Sequence, residues 1–595
     1  MKDPFKSRCY VIIAIFALIA IVFICRLFQL QVLDDTFKYS SENNSRRYVT
    51  QYPARGLILD RNGKTLVYNE ASYDLEVIPR LVQPFDTAEF CSILGIDHAQ
   101  VVAGLKAARN YSRYRPTIFL KQISARTYAV LQEKLYKFQG FYVQSRTSRL
   151  YTRPIAAHLL GYVGEVNETH IKANPYYKTG DNIGISGIEK AYEEELRGKK
   201  GVKILLVDVH NDEKGSFMNG AYDTTAIIGR DIICTIDGDL QEYGEYLMQN
   251  MRGSIVAIEP ATGEVLAMVS SPTYDPNLMV GRQRSANYTM LQQDERRVLL
   301  NRAVNGRYPP GSTFKPAQAL VCLHLGGINL SSTFSCGGVG TVPITCSHSH
   351  GSPVNLLNAI EQSCNPYFWN TFRATLEKGG SGKLQDNYNE WRGQMMDLGF
   401  GCKLDTDIPD ISEGNIPTTD FYDRVFGENR WRPMTIRSLS IGQGEILVTP
   451  LQLANNMAII ANRGYYYPPH SIRSDSFRNK INIDIEKNYF DKVIEGMWRV
   501  NLFGTARRTF IPFNDMYNIK SCGKTGTVQN AGAKDHSLYV GFAPMDNPKI
   551  AIAVVVEHAG GGATWAAPIA SLMMEKYLTG EVKRKKEEED ILKFR

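Results

Sequence analysis

Cysteine is scarce in this chain and is not densely spaced. The 595 residues contain ten cysteines, of which Cys9 and Cys25 border an apolar run near the N-terminus. The other eight are scattered from Cys91 to Cys522. Small secreted domains that depend on disulfides carry closely spaced cysteines instead. The distribution therefore argues against a disulfide framework, and only the stretch that ends at Cys364 has enough thiols to suggest chemistry.

The chain also lacks a strong charge bias, an internal repeat of fixed period and a low-complexity tract, apart from residues 583–595, which predict a solvated charged tail. The net charge of +7 is spread over the whole length, without the basic stripe of a nucleic-acid binding protein. Apolar residues make up 43% and charged residues 22% of the chain, as in globular proteins. A chain of this length exceeds one ordinary core, so we expect about two to four domains.

An uninterrupted apolar run from Cys9 to Cys25 predicts an uncleaved, single-pass membrane anchor. A cleaved signal peptide is the alternative, but it would have a shorter apolar core and a small-residue cleavage site, and no such site follows this run. Basic side chains precede the run, and such residues stay in the cytoplasm. We therefore expect residues 1–8 in the cytoplasm, residues 9–28 across the inner membrane, and the rest on the periplasmic side.

Residues 29–230 mix short strands with helices and show no pattern of a catalytic site. The segment Arg55–Asn69 predicts a hairpin around an Asn62-Gly63 turn. The segment Gly187–Arg197 has one apolar face at helical spacing and predicts a helix. We interpret this region as a structural pedestal or docking platform.

Residues 231–582 differ from the preceding region in their pattern of apolar strands and helices, and they predict a second, larger domain. The segment Gly253–Ser271 predicts two apolar strands joined by a turn. Much later, Ile519–Gln529, Ser537–Met545 and Lys549–Gly560 predict three consecutive antiparallel strands. A long, mostly helical stretch separates the two groups. The pattern therefore indicates an α/β or α+β domain whose sheet is built from both ends of its chain.

The first candidate catalytic motif is Ser312-Thr313-Phe314-Lys315, which follows a Pro-Pro-Gly turn and opens a predicted helix. Ser312 and Lys315 are three residues apart and share one face of that helix. A serine hydroxyl is a poor nucleophile until a neighbouring group takes its proton. A lysine amine can do so when burial and a helix N-terminus lower its pKa. The motif therefore predicts a serine nucleophile with a lysine base.

Two further motifs follow in the chain. In Ser363-Cys364-Asn365, the serine can relay a proton and the amide can hold a substrate peptide group. In Lys524-Thr525-Gly526-Thr527, on a predicted strand, a positive charge and two hydroxyls stand beside a glycine that admits a ligand close to the backbone. Each motif alone is weak because its residues are common. Their order and context together suit a substrate that ends in a carboxylate.

These motifs form the S-x-x-K, S-x-N and K-T-G set of penicillin-binding proteins and serine β-lactamases. Residues from about 231 to 580 resemble the transpeptidase domain of class B penicillin-binding proteins, through the segments NRAVNGRYPPGSTFKP, IGQGEILVTPLQLAN, GTA (Gly504–Ala506) and KTGT. The N-terminal segments RGLILDRNG and GISGIEKAYEEELRG resemble the pedestal of the same family. The chain is most similar to the elongation type, penicillin-binding protein 2, although Asn365 stands where that type more often has aspartate.

The resemblance implies a fold and an activity. The fold is an α/β (α+β) transpeptidase domain of the penicillin-binding and serine β-lactamase type. An elongated mixed α/β pedestal of the dimerisation type and one transmembrane helix precede it. The activity is that of a serine D-Ala-D-Ala transpeptidase, which cross-links peptidoglycan stem peptides during cell elongation through an acyl-serine intermediate. Such an enzyme requires no cofactor for catalysis, and β-lactams trap it covalently.

The resemblance also implies catalytic roles for five residues. Ser312 attacks the carbonyl of the penultimate D-alanine and expels the terminal D-alanine, with Lys315 as general base. Ser363 and Lys524 pass a proton towards the leaving group, and Asn365 orients the acyl donor. An amine of a second strand then attacks the acyl-enzyme.

The remaining site residues that the resemblance implies bind the substrate. Thr525 and Thr527 hold the terminal carboxylate beside Gly526. The backbone N–H groups of Ser312 and Thr527 form the oxyanion hole, which stabilises the charge that develops in the transition state.

A cluster of thiols and imidazoles lies between the first two motifs, at Cys336, Cys346, His348, His350 and Cys364. Cysteine and histidine are the ligands of tetrahedral structural zinc, so we expect zinc on Cys336, Cys346, His350 and Cys364. The spacing does not match a standard zinc finger. A Cys336–Cys346 disulfide outside the membrane is the main alternative, and reduced thiols are another.

Other activities fit the sequence less well. A serine β-lactamase needs neither an anchor nor a pedestal, and a β-lactam sensor would have more cytoplasmic chain. A division-type class B transpeptidase is a further alternative. The pedestal has no candidate acidic motif for glycan polymerisation, which would fall to a partner. For the elongation type, the resemblance implies a multi-pass, RodA-like membrane polymerase and its scaffold proteins as partners, beside the peptidoglycan stem peptides, and no nucleic acid.

Overall fold

The computed structural model describes residues 4–29, 46–208, 213–474, 476, 479–530 and 532–594. Parts of the expected cytoplasmic segment, pedestal and tail lie outside these residues, namely 1–3, 30–45, 209–212 and 595. The strands are β1 Arg46–Gln51, β2 Ile58–Leu59, β3 Thr65–Val77, β4 Thr117–Ser124, β5 Phe141–Tyr151, β6 Val163–Glu165, β7 Asn182–Gly184, β8 Gly201–Val207, β9 Glu213–Ser216, β10 Ile232–Ile233, β11 Gly253–Ile258, β12 Val265–Ser271, β13 Tyr465–Tyr466, β14 Ile481–Asn482, β15 Cys522–Val528, β16 His536–Ala543 and β17 Ile550–Val556.

The helices are α1 Pro4–Phe28, α2 Thr87–Leu94, α3 His98–Tyr111, α4 Ala125–Lys134, α5 Ala157–Leu160, α6 Glu168–Ala173, α7 Gly187–Ala191, α8 Glu193–Arg197, α9 Gly238–Leu247, α10 Arg284–Gln293, α11 Arg302–Asn305, α12 Lys315–His324, α13 Leu356–Glu361, α14 Asn365–Leu376, α15 Leu384–Asp397, α16 Thr419–Phe426, α17 Pro450–Ala461, α18 Lys487–Leu502, α19 Arg507–Tyr517, α20 Ala566–Thr579 and α21 Lys585–Leu592. Within α1, Cys9–Phe28 is long and apolar enough to cross a membrane.

The chain divides into two compact units. The first comprises residues 1–55, 71–147 and 197–230. It contains the antiparallel sheet β1-β8-β9 and an apolar core in which Phe90 packs edge-on against Phe138. Capping side chains set the starts of its helices, because Asp97 accepts from the backbone of Gln100 and completes a capping box at α3.

The second unit comprises residues 56–70, 148–196 and 231–595. Its centre is a five-stranded antiparallel sheet in the order β12-β11-β17-β16-β15. Strands β11 and β17 are buried along their whole length, because α9, α17 and α20 pack against the sheet. Strand β15 forms one edge. The prediction of a sheet built from both ends of the domain's chain is confirmed.

The predicted hairpin is present in this second unit. Strands β2 and β3 pair antiparallel, and Gly63 turns between them with a φ of +80° that suits glycine. The predicted helix over 187–197 is interrupted at Tyr192, which separates α7 from α8. The described part of the predicted solvated tail forms α21, in which Ile591 is only 2% exposed while Lys585, Lys586 and Glu589 are exposed. The burial is tertiary and leaves no signal in a charged sequence.

Candidate active site

Ser312 lies at the entrance of a buried helix. Residues Gly311–Phe314 form a single 3-10 turn that continues into α12, whose second residue is Pro316. Proline is favoured in the first turn of a helix because its missing N–H would have no partner there. Gly311 has a φ of +54°, which glycine adopts without strain. The turn therefore presents the partly exposed Ser312 directly above the buried Lys315.

Lys315 is fully buried, and burial lowers the pKa of its amine to about 8. Its Nζ donates to the Ser363 carbonyl oxygen at 2.7 Å, the Ser363 Oγ at 3.1 Å and the Asn365 Oδ1 at 2.6 Å. Among the described residues its hydrogen bonds thus go to the second motif and not to Ser312. Catalytic hydrogen bonds in free enzymes are often long until substrate binds. The first two motifs nevertheless meet at one buried amine.

Ser363 has a backbone conformation that non-glycine residues rarely adopt, with a φ of +54°. This conformation directs both its carbonyl and its hydroxyl towards Lys315 Nζ. Strained residues of this kind cluster at functional sites. The sequence motif predicted the residue but not its conformation.

Lys524 is the second buried amine of the site. It lies on β15 with no exposed surface, and its Nζ donates to the Thr525 carbonyl oxygen at 3.0 Å. Burial, and then the charge of Lys315, lower the pKa of Lys524 well below its usual range. Two amines with lowered pKa values can accept and return a proton near neutral pH more readily than ordinary lysines.

Strand β15 lies directly against the turn that carries Ser312. A Cβ added to Gly526 would lie 2.8 Å from the Thr313 Cγ2 and 3.3 Å from the Pro310 carbonyl oxygen. Glycine is therefore required at 526 by close packing against the turn that carries Ser312, in addition to any approach of a ligand. The third motif meets the first through this contact.

Residues outside the three motifs support the site. The Thr505 and Thr525 hydroxyls are 2.6 Å apart, and the Gly562 N–H donates to the Thr527 Oγ1 at 3.3 Å. The Gly311 N–H donates to the Gly442 carbonyl oxygen at 2.8 Å. The segments GTA and IGQGE pointed to Thr505 and Gly442 without assigning either a role, and no signal pointed to Gly562.

The thiol and imidazole cluster is assembled as the sequence predicted. The ligand atoms of Cys336, Cys346, His350 and Cys364 all lie within 4.8 Å of one another. The His350 Nε2 is 3.3 Å from the Cys346 sulfur, and its Nδ1 is 3.0 Å from the Gly351 carbonyl oxygen. A backbone carbonyl on Nδ1 leaves Nε2 free to bind a metal. All three cysteines are free thiols in this structure, and the Cys336 and Cys346 sulfurs both lie beside the His350 Nε2.

His348 lies apart from this cluster, with its Nε2 at 3.3 Å from the Gln362 Oε1. The cluster also contacts the active site. Cys364 is the middle residue of the second motif, and the Asn365 Nδ2 donates to the Thr345 carbonyl oxygen at 2.9 Å. The loop that carries Cys346 therefore braces the residue that holds Lys315.

Comparisons with known proteins agree with this geometry. Residues 253–575 match the penicillin-binding protein transpeptidase domain, and residues 50–232 match the penicillin-binding protein dimerisation domain. The peptidoglycan D,D-transpeptidase MrdA of Acinetobacter baumannii is 34% identical, over 96% of this chain and 87% of that protein.

Solved structures extend the similarity to the fold. The complex of penicillin-binding protein 2 and MreC from Helicobacter pylori matches with a TM-score of 0.74 at 26% identity, over 90% of this chain and 100% of that chain. A peptidoglycan synthase complex that coordinates polymerization and crosslinking matches with a TM-score of 0.68 at 26% identity, over 97% of this chain and 99% of that chain. The predicted fold class and elongation-type similarity are confirmed, and the chain belongs to the class B penicillin-binding proteins, the family of serine peptidoglycan D,D-transpeptidases.

Proposed function

We propose that Ser312 is the nucleophile of a D,D-transpeptidase that cross-links stem peptides during cell elongation, and that Lys315 is its general base. The observation that carries the proposal is the buried Lys315 amine, with a pKa near 8, hydrogen-bonded to Ser363 and Asn365. Near neutral pH a minor fraction of such an amine is unprotonated, far more than of an ordinary lysine, and that form takes the Ser312 proton as the hydroxyl attacks. The serine oxygen then bonds to the carbonyl carbon of the penultimate D-alanine.

The tetrahedral intermediate places a negative charge on the former carbonyl oxygen. The backbone N–H groups of Ser312 and Thr527 stabilise that charge. As the intermediate collapses, the bond to the terminal D-alanine breaks and its nitrogen takes a proton. The proton passes from Lys315 through the Ser363 hydroxyl, and Lys524 supports the transfer. The donor peptide is left as an ester on Ser312, which the amine of a second strand attacks in the reverse sequence of proton transfers.

Substrate binding falls to the open edge of β15. Thr525 and Thr527 donate hydroxyl hydrogen bonds to the terminal carboxylate, and the Lys524 amine lies beneath them. Thr527 is exposed, so its hydroxyl is accessible to a ligand. Asn365 orients the donor through its amide, in addition to its bond with Lys315.

The test is intact-mass spectrometry of the full-length chain mixed with penicillin, with Ser312→Ala as the matched control. We expect a long-lived adduct of one drug mass that the Ser312→Ala protein does not form. An adduct that hydrolyses within seconds while the drug is consumed would favour a β-lactamase. Failure of the folded wild-type chain to form any adduct would overturn the proposal.

We also propose that Cys336, Cys346, His350 and Cys364 bind a structural zinc ion. Three sulfurs and one imidazole nitrogen within 4.8 Å of one another match the ligand number and types of tetrahedral zinc sites. Zinc at this position would hold the Cys346 loop against Cys364, and so fix Asn365 beside Lys315.

The zinc proposal predicts about one equivalent of zinc in purified protein and none in Cys346→Ser. The loss of zinc should lower the melting temperature. Counting free thiols in the denatured protein is the second measurement. A wild-type protein without zinc and with two thiols missing would instead indicate a disulfide.

The anchor, the domain boundaries and the partners complete the proposal. Helix α1 spans the inner membrane with residues 1–8 in the cytoplasm, since basic residues precede the apolar stretch. Residues 29–230 form the pedestal and residues 231–582 the periplasmic transpeptidase domain.

A RodA-like multi-pass polymerase and its scaffold proteins assemble with the anchor and pedestal. The similarity to a synthase complex that joins polymerization to crosslinking supports this assignment. Failure to co-purify with such a polymerase, or to be activated by it, would contradict the partner assignment.

A further inference from the structure

A pair of histidines lies beside the C-terminal end of β15, on residues that the proposed mechanism does not use. His536 is the first residue of β16, and His558 follows the end of β17. Their ring centroids are 4.9 Å apart. His536 is partly buried and His558 is exposed. The pair is therefore accessible from solvent and fixed on one side by the sheet.

The hydrogen bonds of the pair determine which ring nitrogens carry hydrogen. The backbone N–H of His558 can only donate, and it donates to the His536 Nδ1 at 3.1 Å. The Asn530 Nδ2 can likewise only donate, and it is 3.0 Å from the His558 Nδ1. Each neutral imidazole must then carry its hydrogen on Nε2. Among the described residues none accepts a hydrogen bond from either Nε2, so two N–H donors are available side by side.

The pair is close to the nucleophile's turn. His536 is the cross-strand partner of Val528, so the two side chains lie on the same face of the sheet. A Cβ added to Gly311 would lie 2.9 Å from the Val528 Cγ2. The ring of Tyr308, four residues before Ser312, lies 6.0 Å from the ring of His536.

The neighbouring acidic groups already have partners. Glu557 accepts from the Tyr308 hydroxyl at 2.7 Å and from the Arg302 Nε at 3.0 Å. Asp535 accepts from the Asn530 backbone N–H at 3.4 Å. Lys534 is exposed on the same loop and adds positive charge. An incoming anion would therefore not meet an unpaired carboxylate at Glu557.

The direction of the substrate along β15 brings its upstream residues towards this pair. A peptide can add to a sheet edge as a further strand, and antiparallel pairing is the more stable per residue, so the donor would run opposite to β15. With the terminal carboxylate at Thr525 and Thr527, the residues that precede the two D-alanines extend past Val528 towards Asn530. His536 is the cross-strand partner of Val528 on the side of β15 opposite its open edge, so a long donor side chain would pass the end of β15 to reach the pair.

We propose that His536 and His558 form a subsite whose Nε2–H groups bind a side-chain carboxylate of the acyl donor, on a residue that precedes the two D-alanines. The inference rests on the proposed function and extends it to the choice of stem peptide. Hydrogen bonds from neutral donors to a charged acceptor are stronger than those between neutral groups. The pair would therefore favour donors with a carboxylate at that position over donors with a carboxamide.

The test compares two synthetic peptides that end in D-Ala-D-Ala and differ only in a carboxylate or a carboxamide on the upstream side chain. The full-length protein is used, and the second-order rate of Ser312 acylation is measured for each peptide and for penicillin. We expect the wild type to prefer the carboxylate peptide by about tenfold, the size of one charge-assisted hydrogen bond at a partly exposed site.

Two substitutions at one position make the test specific. In His558→Asn the amide reaches the position of Nδ1 but not that of Nε2, and asparagine tolerates the φ of +55° at this residue. We expect the preference to fall to about one. His558→Gln places an amide donor near the position of Nε2 and should restore part of the preference. Lys534→Gln, which removes a charge from the same loop, should keep the preference.

The outcomes separate the subsite from the proposed function. A wild type that penicillin acylates but that does not distinguish the peptides overturns the subsite alone. An unchanged preference in His558→Asn, or a preference lost in Lys534→Gln, also overturns it. A folded chain that neither penicillin nor peptide acylates overturns the proposed function as well.

Discussion

At the scale of single residues, the proposed mechanism depends on the Lys315 amine. Its pKa of about 8 results from burial, and its three hydrogen-bond acceptors are all neutral groups of Ser363 and Asn365. An anionic acceptor would stabilise the protonated amine and so raise its pKa. The neutral amide at Asn365 is thus compatible with a base that works near neutral pH.

The acylation rate should follow the protonation state of Lys315. Because the unprotonated amine is the base, we expect the second-order rate of penicillin acylation to rise with pH, with a midpoint near 8. In Asn365→Asp, a carboxylate replaces the amide whose oxygen lies 2.6 Å from Nζ, which raises the Lys315 pKa and moves the midpoint upward. Stopped-flow acylation from pH 6 to pH 10 measures both profiles.

The matched control for this profile is Asn370→Asp on the same helix, whose side chain donates to the Pro366 carbonyl oxygen and to no other described residue. Its midpoint should stay with that of the wild type. An Asn365→Asp midpoint at or below the wild-type value would contradict the role of Lys315 as base.

Thr505 positions Thr525 through the 2.6 Å contact of their hydroxyls. Thr505→Val removes that hydrogen bond, which is worth about 1 kcal/mol, and leaves the Thr525 hydroxyl free to rotate. We expect the acylation efficiency to fall by roughly fivefold, mainly through weaker binding of the drug carboxylate. Thr505→Ser should retain nearly full efficiency, and equal losses in both variants would show that the methyl group matters instead.

At the scale of secondary-structure elements, the site depends on how closely β15 approaches the turn before α12. Gly526→Ala should push the strand away, because its Cβ would lie 2.8 Å from the Thr313 Cγ2. We expect acylation to fall by roughly a hundredfold, as misplacement of reacting groups by about 1 Å commonly does.

Circular dichroism and thermal unfolding of Gly526→Ala would separate a displaced site from a misfolded protein. Gly393→Ala is the control. Gly393 lies inside α15 with open space around its Cβ position, so alanine should stabilise the helix by about 0.5–1 kcal/mol and leave acylation unchanged. Normal acylation in a folded Gly526→Ala protein would refute the packing argument.

At the scale of the whole molecule, the charged C-terminal segment is part of the second unit. The Arg584 Nε donates to the Glu575 Oε2 at 2.7 Å, and both side chains are almost fully buried. Glu575 also accepts from the Tyr517 hydroxyl and the Lys583 backbone N–H. The segment is therefore fastened to α20 by a buried ion pair.

Removing one partner of this ion pair should destabilise the folded protein. Arg584→Ala removes the positive charge beside the buried Glu575 carboxylate. We expect the free energy of unfolding to fall by about 3 kcal/mol. Arg584→Met combined with Glu575→Met should cost much less, because no buried charge remains. Chemical denaturation measures both, with Lys593→Ala as an exposed control. A loss no larger than that of the control would contradict burial of the pair.

The division of the chain is also a property of the whole molecule. Residues 56–70 and 148–196 lie within the proposed pedestal range, and they belong to the same compact unit as 231–595. Within that unit Arg61 pairs with Glu259 and Glu264 at 2.9 and 3.0 Å, and Tyr192 donates to Asp407 at 2.9 Å. These contacts join residues far apart in the chain, which explains why no local pattern predicts them.

The sequence by itself determined the anchor, the strand groups of the large sheet, the three motifs and the four members of the thiol and imidazole cluster. Each is encoded by local periodicity, by turn residues, or by residue types whose chemistry is specific. Only the tertiary structure decided that Lys315 contacts Ser363 and Asn365 and that Thr505 meets Thr525. It also decided that His536 and His558 lie together and that Arg584 of the charged tail is buried against Glu575. Those relations depend on the packing of distant segments, which sets burial, pKa and hydrogen-bond partners together.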